Sequence, residues 1–565
     1  MMNWYFASGD GDFFWREQLT HFSWLPQVFD KSYGFGFSRL PSLWYDYPIR
    51  LFTKIFVTLG FSWFIIEKLL WLSVFFLAIY SSYALLRYIL GKNIWTLIAP
   101  LIYVSNTYFL LLFGGGQLGV ALGFGFAPLV LLKFLELIDI PDKRISRNSL
   151  IHGLLVGLLL CFDLRLGYIT IAIAGLYFLF HILIYRKKDF ISVGIQVFII
   201  PGLIAGLLNA LWILPTILAG GGVASLGEQF TNPAILSFLS FADFSHAISL
   251  LHPNWPENLF GKVYFMQPEF LVIPIVAFFA LLTIDKKVND TTKKISFFGL
   301  LALIGAFLAK GVNAPFGGIF QWMFIHVPGF IMFRDPTKFY LLVAVGYSVL
   351  IPYTLQHIAK KIKINDVIVF TIFIVFWCFS IRPVLLGKMK GNFQPPRISA
   401  DYVHLKDLLV ADGKPSRTLW IPQKDAFAYM SDVHPLLTSD QLFNSASVSA
   451  VISLIQKPEF MKRLAVSGIG YVIVPTDLEK RLFLTDYRFN PKERNLLITS
   501  LKQTTLIQDN DFRDVAVFKN DQFTMTSTVP VIVTKQQRMA NIGLIISIVT
   551  LASSIGALIV LKRRD

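Results

Sequence analysis

Long apolar segments recur along most of the chain and limit what it can fold into. Each is about 17–25 residues long, the length of a helix that crosses the hydrocarbon core of a bilayer. With 55% hydrophobic residues and a mean hydropathy of +0.60, the chain is too apolar for an ordinary soluble protein. We predict an α-helical polytopic membrane protein with about eleven spans. They are placed near residues 69–90, 94–112, 118–138, 150–162, 168–185, 190–214, 269–284, 295–310, 336–357, 366–381 and 540–561.

The basic residues give the orientation of the spans. The net charge of +16 would suggest a nucleic-acid partner in a soluble protein, but here Lys and Arg fall mainly in short loops between spans. No nucleic-acid recognition motif accompanies them, so we predict no nucleic-acid partner. Clusters such as Arg87/Lys92 and 360–363 lie on alternate connections, which the positive-inside rule places in the cytoplasm. The other connections then face outward, and we expect a multi-pass protein of the cell membrane with an extracytoplasmic active face.

Composition divides the chain into four parts. Residues 1–68 form an outward acidic loop followed by an interfacial helix, because Arg50 and Lys54 make a lipid-exposed span costly. Residues 69–382 form the multi-span membrane domain. Residues 383–535 have mixed charge and β-branched runs, and predict a small extracytoplasmic α/β domain. Residues 536–565 hold the last span and a basic cytoplasmic tail.

Several common patterns carry no function here. Cys161 and Cys378 lie in apolar segments far apart, so neither a disulfide framework nor metal-type spacing is predicted. The first sixty residues lack the pattern of a cleavable signal peptide. The glycines of 114–119 match GxGxxG, but they follow a span instead of a strand, so we set a dinucleotide site aside.

Asp10 and Asp12 are the first candidates for chemistry. They stand on a glycine-flexed segment before the first span. A carboxylate at a membrane face can deprotonate an acceptor hydroxyl, or hold a divalent cation that neutralises a phosphate leaving group. The alternative is a solvated polar turn, since Asp-Gly pairs are common in turns. No other cofactor is implied.

Two outward segments carry candidate phosphate ligands. Asp163 and Arg165 interrupt two apolar helices, either as turn residues or as a phosphate clamp. Arg334 and Lys338 stand four apart at the mouth of a span and can approach one outer cavity. The alternative there is a loop pair between Arg334 and Asp335, with Lys338 snorkelling to the interface.

His252 and Trp255 lie between prolines in a long outward loop. This pair can stack on a sugar ring and hydrogen-bond it, or the tryptophan can anchor the loop at the membrane interface.

Four of these features together resemble the large GT-C membrane glycosyltransferases. They are the Gly-Asp loop, the Asp163-x-Arg165 turn, the segment Pro328 to Phe339, and the late segment Leu464 to Val474. The sequence is similar to mycobacterial-type α-(1→3)-arabinofuranosyltransferases and to bacterial membrane proteins that glycosylate lipoteichoic acid.

The resemblance implies transfer of a sugar from a polyprenyl-phosphate-linked donor to a glycan or lipid acceptor of the cell envelope. Its catalytic base would be Asp10, or alternatively Asp12, and Arg165, Arg334 and Lys338 would suit the donor phosphate. Membrane lipids are the remaining expected partners. Such proteins begin with a span before the acidic loop, so we expect that span either upstream of Met1 or lost. Two other functions stay open: a flippase for a lipid-linked glycan, and a non-catalytic scaffold of envelope assembly.

Overall fold

The computed structural model is mostly helical. It describes residues 5–7, 9–139, 147–185, 190–219, 234–251, 268–284, 290–389, 393, 397–445, 447–475, 491–524 and 531–562. Among these, seven helices are long and apolar enough to cross a membrane, and a bent pair makes an eighth if it counts as one span. Four shorter apolar helices accompany them. The chain is therefore a multi-pass membrane protein, as predicted.

The N-terminal part is a loop followed by a short helix, a hairpin and a longer helix. Gly36 stands in the hairpin turn at a φ of +92°, a conformation that L side chains rarely adopt. A short helix and a longer helix are present, and the longer one lies in the segment where the interfacial helix is predicted. The elements are α1 (Arg16–Thr20), β1 (Phe29–Asp30), β2 (Phe37–Ser38) and α2 (Leu43–Thr58), with β1 and β2 antiparallel.

Every predicted apolar segment is helical. Their apolar side chains pack on one another in the largest buried cluster of the protein. The helices are α3 (Trp63–Leu90), α4 (Ile98–Val104), α5 (Thr107–Gly114), α6 (Leu118–Asp139), α7 (Arg147–Phe162), α8 (Leu164–Tyr185), α9 (Phe190–Gly194), α10 (Ile200–Leu208), α11 (Ala210–Ala219), α12 (Ala234–Leu239), α13 (Phe244–Ser249), α14 (Val272–Leu282), α15 (Asp290–Ala309), α16 (Gly317–His326), α17 (Tyr340–Ile362) and α18 (Asp366–Ser380).

The predicted spans differ from the structure in several places. Those near 150–162, 269–284 and 366–381 are shorter apolar helices, and the last begins at Val531 instead of residue 540. Three further differences have a local cause. The first begins at Trp63 instead of Leu69, because buried Glu67 accepts a hydrogen bond from the backbone N–H of Phe6 at 3.1 Å. The second is bent by 46° where Asn106 caps α5 through the N–H of Phe109. The span near 190–214 is interrupted at Asn209, whose side chain binds backbone carbonyls of Gly157 and Ala205.

The helices connect two distinct ends of the membrane domain. Near one end, Phe14 of the N-terminal loop packs on Trp63 at the start of α3, with ring centroids 5.0 Å apart. At the other end, Tyr88 near the end of α3 donates a hydrogen bond to Asp139 at the end of α6. We call these the loop end and the far end. The far end carries the basic cluster that ends α17 at 360–363.

The region between the last two spans is an α/β unit, as predicted. Its sheet has the order β4-β3-β5-β7-β6, in which β3 pairs in parallel with β4 and β5, and β7 pairs antiparallel with β5 and β6. All seven residues of β5 are buried. The elements are α19 (Arg382–Leu385), α20 (Ala400–Ala411), β3 (Arg417–Trp420), β4 (Leu436–Thr438), α21 (Ser439–Phe443), α22 (Val448–Ile455), α23 (Glu459–Val466), β5 (Ile469–Pro475), α24 (Pro491–Lys502), β6 (Ile507–Asp509), β7 (Val515–Lys519) and the last span, α25 (Val531–Lys562).

The N-terminal loop lies between the sheet and the membrane helices. Trp15 donates its indole N–H to the carbonyl of Phe427 at 3.1 Å, and Tyr33 forms a parallel bridge with Leu436 at the edge of β4. Phe13 and Trp15 share one buried cluster with Ile66 of α3 and residues of the sheet unit. The acidic loop is thus held on two sides.

Candidate functional site

Asp10 is held at the start of α6. Its backbone N–H donates to the carbonyl of Gly115 at 2.8 Å, and its carboxylate accepts from Nε2 of Gln117 at 3.0 Å. The residue is otherwise exposed to solvent. A carboxylate that is fixed at its backbone and keeps open lone pairs can accept a proton from a ligand.

Asp12 has a different environment. Its side chain is exposed to solvent, as that of Asp10 is, although the surrounding protein partly desolvates the carboxylate and so raises its pKa. The charges of Lys424, Arg50 and Arg39 oppose the shift, and Asp46 adds to it. Asp12 thus faces a charged cluster of the N-terminal part and the sheet unit.

Asp163 and Arg165 form an ion pair at the turn between α7 and α8. Asp163 is fully buried and caps α8, accepting from the N–H groups of Arg165 and Leu166 at 2.9 and 3.0 Å. Arg165 Nη2 lies 2.6 Å from its Oδ2. Burial alone would raise the pKa of Asp163, but the charge and hydrogen bonds of Arg165 outweigh it and lower the pKa. The turn is a buried ionic cap, not a simple solvated turn.

The second pair corrects the loop-pair alternative. Asp335 forms an ion pair with Lys338, with Nζ 2.6 Å from Oδ2, so the loop pair with Arg334 is not its only charged contact. Lys338 is 1% exposed, so it does not snorkel to the interface. Asp335 also accepts from Thr337, and Lys338 and Thr337 together lower its pKa against the effect of burial. The reason is local geometry, since Pro336 begins a helical turn that brings Lys338 over Asp335.

The two ion pairs lie in one neighbourhood. Tyr168, in the first turn of α8, donates to the carbonyl of Pro328 at 3.2 Å and packs on Phe333, with ring centroids 5.5 Å apart. Arg334 belongs to the same neighbourhood. It lies close enough to Arg165 for the charge of Arg165, together with burial, to lower its pKa. This outer cluster therefore holds the cations Arg165, Arg334 and Lys338 against the carboxylates of Asp163 and Asp335.

Asp10 and the outer cluster meet through α6. A Cβ on Gly119 would lie 2.9 Å from the carbonyl oxygen of Phe162, and one on Gly123 would lie 3.2 Å from the Cβ of Asp163. The first turns of α6 therefore pack directly against the turn that carries Asp163. The helix that begins beside Asp10 thus touches the outer cluster.

Sequence reasoning missed three residues of this site. Gln117 binds Asp10, Tyr108 lies under Lys338 with Nζ 5.9 Å from its ring centroid, and Tyr45 lies near the loop carboxylates. Burial and the charge of Asp12 raise the pKa of Tyr45 to about 12, so it keeps its proton. Gln117 follows the glycines whose dinucleotide pattern was set aside. A polar residue between a glycine turn and the start of an apolar helix was a usable signal there.

His252 and Trp255 lie outside the described residues. Among the described residues, no three His, Cys, Asp or Glu side chains are grouped so that they could hold a metal ion.

The fold resembles solved glycosyltransferases. No protein-family model matches the sequence, and no curated protein matches it. The structure aligns with the arabinofuranosyltransferase AftD from Mycobacteria at a TM-score of 0.58 and 13% identity, over 88% of this chain and 37% of AftD. The membrane domain shares its fold with this arabinofuranosyltransferase. A mutant of AftD aligns at 0.56 and 12% identity, over 91% of this chain and 40% of the other.

The resemblance drawn from the sequence motifs is confirmed at the level of the fold. An oligosaccharyltransferase from Archaeoglobus fulgidus aligns at a TM-score of 0.42 and 14% identity, over 80% of this chain and 61% of the other. The chain spans less than half the length of AftD.

Proposed function

We propose that the chain is a membrane glycosyltransferase that moves a sugar from a polyprenyl-phosphate-linked donor to a hydroxyl of a cell-envelope glycan or lipid. One observation carries the proposal: a fixed, solvent-accessible carboxylate, Asp10, lies at the start of the helix that packs on a cluster with more cations than carboxylates. The fold shared with an arabinofuranosyltransferase supports it.

Asp10 acts as the general base. The acceptor hydroxyl oxygen attacks the anomeric carbon of the donor, and its proton passes to the Asp10 carboxylate. The bond between the anomeric carbon and the phosphate oxygen breaks, and its electron pair leaves with the polyprenyl phosphate. Gln117 fixes one carboxylate oxygen of Asp10, which leaves the other to receive the proton.

The outer cluster stabilises the phosphate. Arg165, Arg334 and Lys338 bring three positive charges next to the carboxylates of Asp163 and Asp335, and guanidinium and ammonium groups in this arrangement can stabilise a phosphate. The lowered pKa values of both carboxylates keep them ionised, and they hold Arg165 and Lys338 in place before the donor arrives. The four residues Asp163, Arg165, Arg334 and Lys338 form the donor site in this proposal.

The reaction takes place on the extracytoplasmic side. The loop end carries Asp10 and the sheet unit, while the basic cluster that ends α17 lies at the far end, which the positive-inside rule assigns to the cytoplasm. The sheet unit, residues 383–535 in our division of the chain, then faces outward together with the N-terminal loop. His252 and Trp255 stay a prediction for sugar binding.

The test is transfer from a panel of radiolabelled polyprenyl-phosphate sugars in membranes that contain the wild-type chain or a variant. Asp10→Asn keeps the size of the side chain but removes the base, and we expect transfer to fall by about 10²-fold or more. Asp432→Asn is the matched control, because it removes an exposed carboxylate of the sheet unit. Amounts are normalised to the folded protein extracted in detergent.

The outcomes separate the open alternatives. Wild-type transfer that survives Asp10→Asn but is lost in Asp12→Asn would move the base to Asp12. Wild-type transfer that both variants retain would contradict an acidic-loop base. If the wild-type chain transfers no sugar from any donor of the panel, the proposal fails in favour of a flippase or scaffold.

A further inference from the structure

A second site is present at the far end of the membrane domain. A cavity of about 360 Å³ opens where α3 ends, α15 begins and α17 ends. Its largest wall comes from α17, where Tyr353, Gln356, His357 and Lys360 share one helix face by their spacing of three, four and seven residues. The proposed transfer reaction at the loop end uses none of these residues.

The other walls complete a lining rich in hydrogen-bond donors. Thr291 and Thr292 of the first turn of α15 add two hydroxyl groups, and Ile89 and Leu90 of α3 form an apolar edge. Among the described residues, the lining includes a cation and an imidazole but no carboxylate. Asp290 precedes Thr291 without lining the cavity, and Asp139 is bound by Tyr88, Tyr177 and Lys294. This chemistry suits an anion.

We propose that this cavity binds a phosphate group, as the headgroup of an anionic phospholipid or as a free phosphate. A phosphate oxygen accepts hydrogen bonds from Lys360, His357 and the threonine hydroxyls, and the positive end of the α15 dipole adds to the attraction. Basic pockets between helices at the cytoplasmic side suit lipid headgroups, and the apolar edge at Ile89 and Leu90 gives an acyl chain a surface to follow. The site is independent of sugar transfer.

The experiment uses the full chain purified in a neutral detergent. Thermal unfolding is measured during titration with phosphatidylglycerol, phosphatidylcholine or inorganic phosphate, because a ligand that binds the folded state raises Tm. For the wild-type chain we expect saturable stabilisation by phosphatidylglycerol and none by phosphatidylcholine. In Lys360→Gln/His357→Gln, the apparent affinity should fall by about tenfold or more.

Matched variants make the result specific. Lys361→Gln removes an equal charge from an exposed neighbour that does not line the cavity, so it should bind as the wild type does. Lys360→Arg keeps the charge and should retain binding. If inorganic phosphate gives the same stabilisation and the double variant loses it, the source is free phosphate. Equal affinities in the wild type, the double variant and Lys361→Gln would overturn the proposal.

Discussion

Two buried ionic clusters lie at opposite ends of the same helices, and they differ in charge balance. At the far end, Asp139 binds Tyr88 and Tyr177 at 2.8 Å each and Lys294 at 2.7 Å, with His181 Nδ1 3.9 Å from its carboxylate. One carboxylate meets one lysine there, and both oxygens are occupied.

The outer cluster at the loop end is not balanced in this way. It brings three cations to two carboxylates, and the side chain of Arg165 remains 31% exposed while that of its partner Asp163 is fully buried. The Asp139 cluster joins four helices, and both oxygens of its carboxylate have partners. In the outer cluster, the positively charged side chain of Arg165 stays accessible. The proposed phosphate site therefore differs from the Asp139 cluster in the number of described cations per carboxylate and in the exposure of one of those cations.

The largest expected effect comes from Arg165→Gln. We expect transfer to fall by about 10²-fold, because the cation that stabilises the leaving phosphate is gone. Stability should also fall by about 3–5 kcal/mol, since Asp163 stays buried without its partner. Adding Asp163→Asn should restore much of the stability but not the transfer. Thermal unfolding and transfer are measured on the same preparations. If the double variant recovers transfer, the cluster has only a structural role.

The corresponding change at the far end is Lys294→Met. Asp139 keeps its two tyrosine partners but loses its neutralising charge, so we expect a loss of about 3 kcal/mol in stability. Transfer per folded molecule should change by less than about twofold. Lys92→Met, at an exposed position of the same end, is the control. A tenfold loss of specific transfer in Lys294→Met would break the contrast between the two clusters.

Gly119→Ala tests how closely Asp10 and the outer cluster are coupled. The new methyl group would lie 2.9 Å from the carbonyl of Phe162, so the start of α6 must move away from the Asp163 turn. We expect transfer to fall by about tenfold with little loss of fold, because a displacement of reacting groups is costly. Gly318→Ala, where a Cβ meets nothing within 4 Å, should have no effect. Unchanged transfer in Gly119→Ala would show that the packing of α6 on the Asp163 turn does not affect the reaction.

The smallest effect is expected from Asp12→Asn. Because the pKa of Asp12 is raised in the folded protein, folding favours its protonated form, and the stability that this gives is lost as pH rises through the raised pKa. The variant should therefore unfold at a slightly higher temperature than the wild type near neutral pH. The difference should vanish as the pH falls below the ordinary carboxyl value of about 4. A difference of opposite sign would contradict the burial of this carboxylate.

The apolar segments predicted the helices well, because hydrophobic length is read along the chain alone. Contacts between distant residues could not be read in this way. Nothing near Leu69 indicates that Glu67 is stabilised by the N–H of Phe6, and the spacing of Arg334 and Lys338 does not show that Asp335 chooses Lys338. The candidates Asp163, Arg165, Arg334 and Lys338 were predicted from their residue type and place, and the structure brings them into one cluster. Gln117 was missed because its role comes from a hydrogen bond to Asp10, which is far away in the sequence.

The contact between Trp15 and Phe427 also sets an order of assembly. The two residues are 412 positions apart, so the acidic loop leaves the ribosome long before the sheet on which it rests exists. Local helices form early, whereas a contact across so much chain must wait for its partner. Of these two parts, the one that is synthesised earlier therefore reaches its final position late. A nascent chain that has already inserted most of its spans still lacks the contact between the acidic loop and the sheet unit.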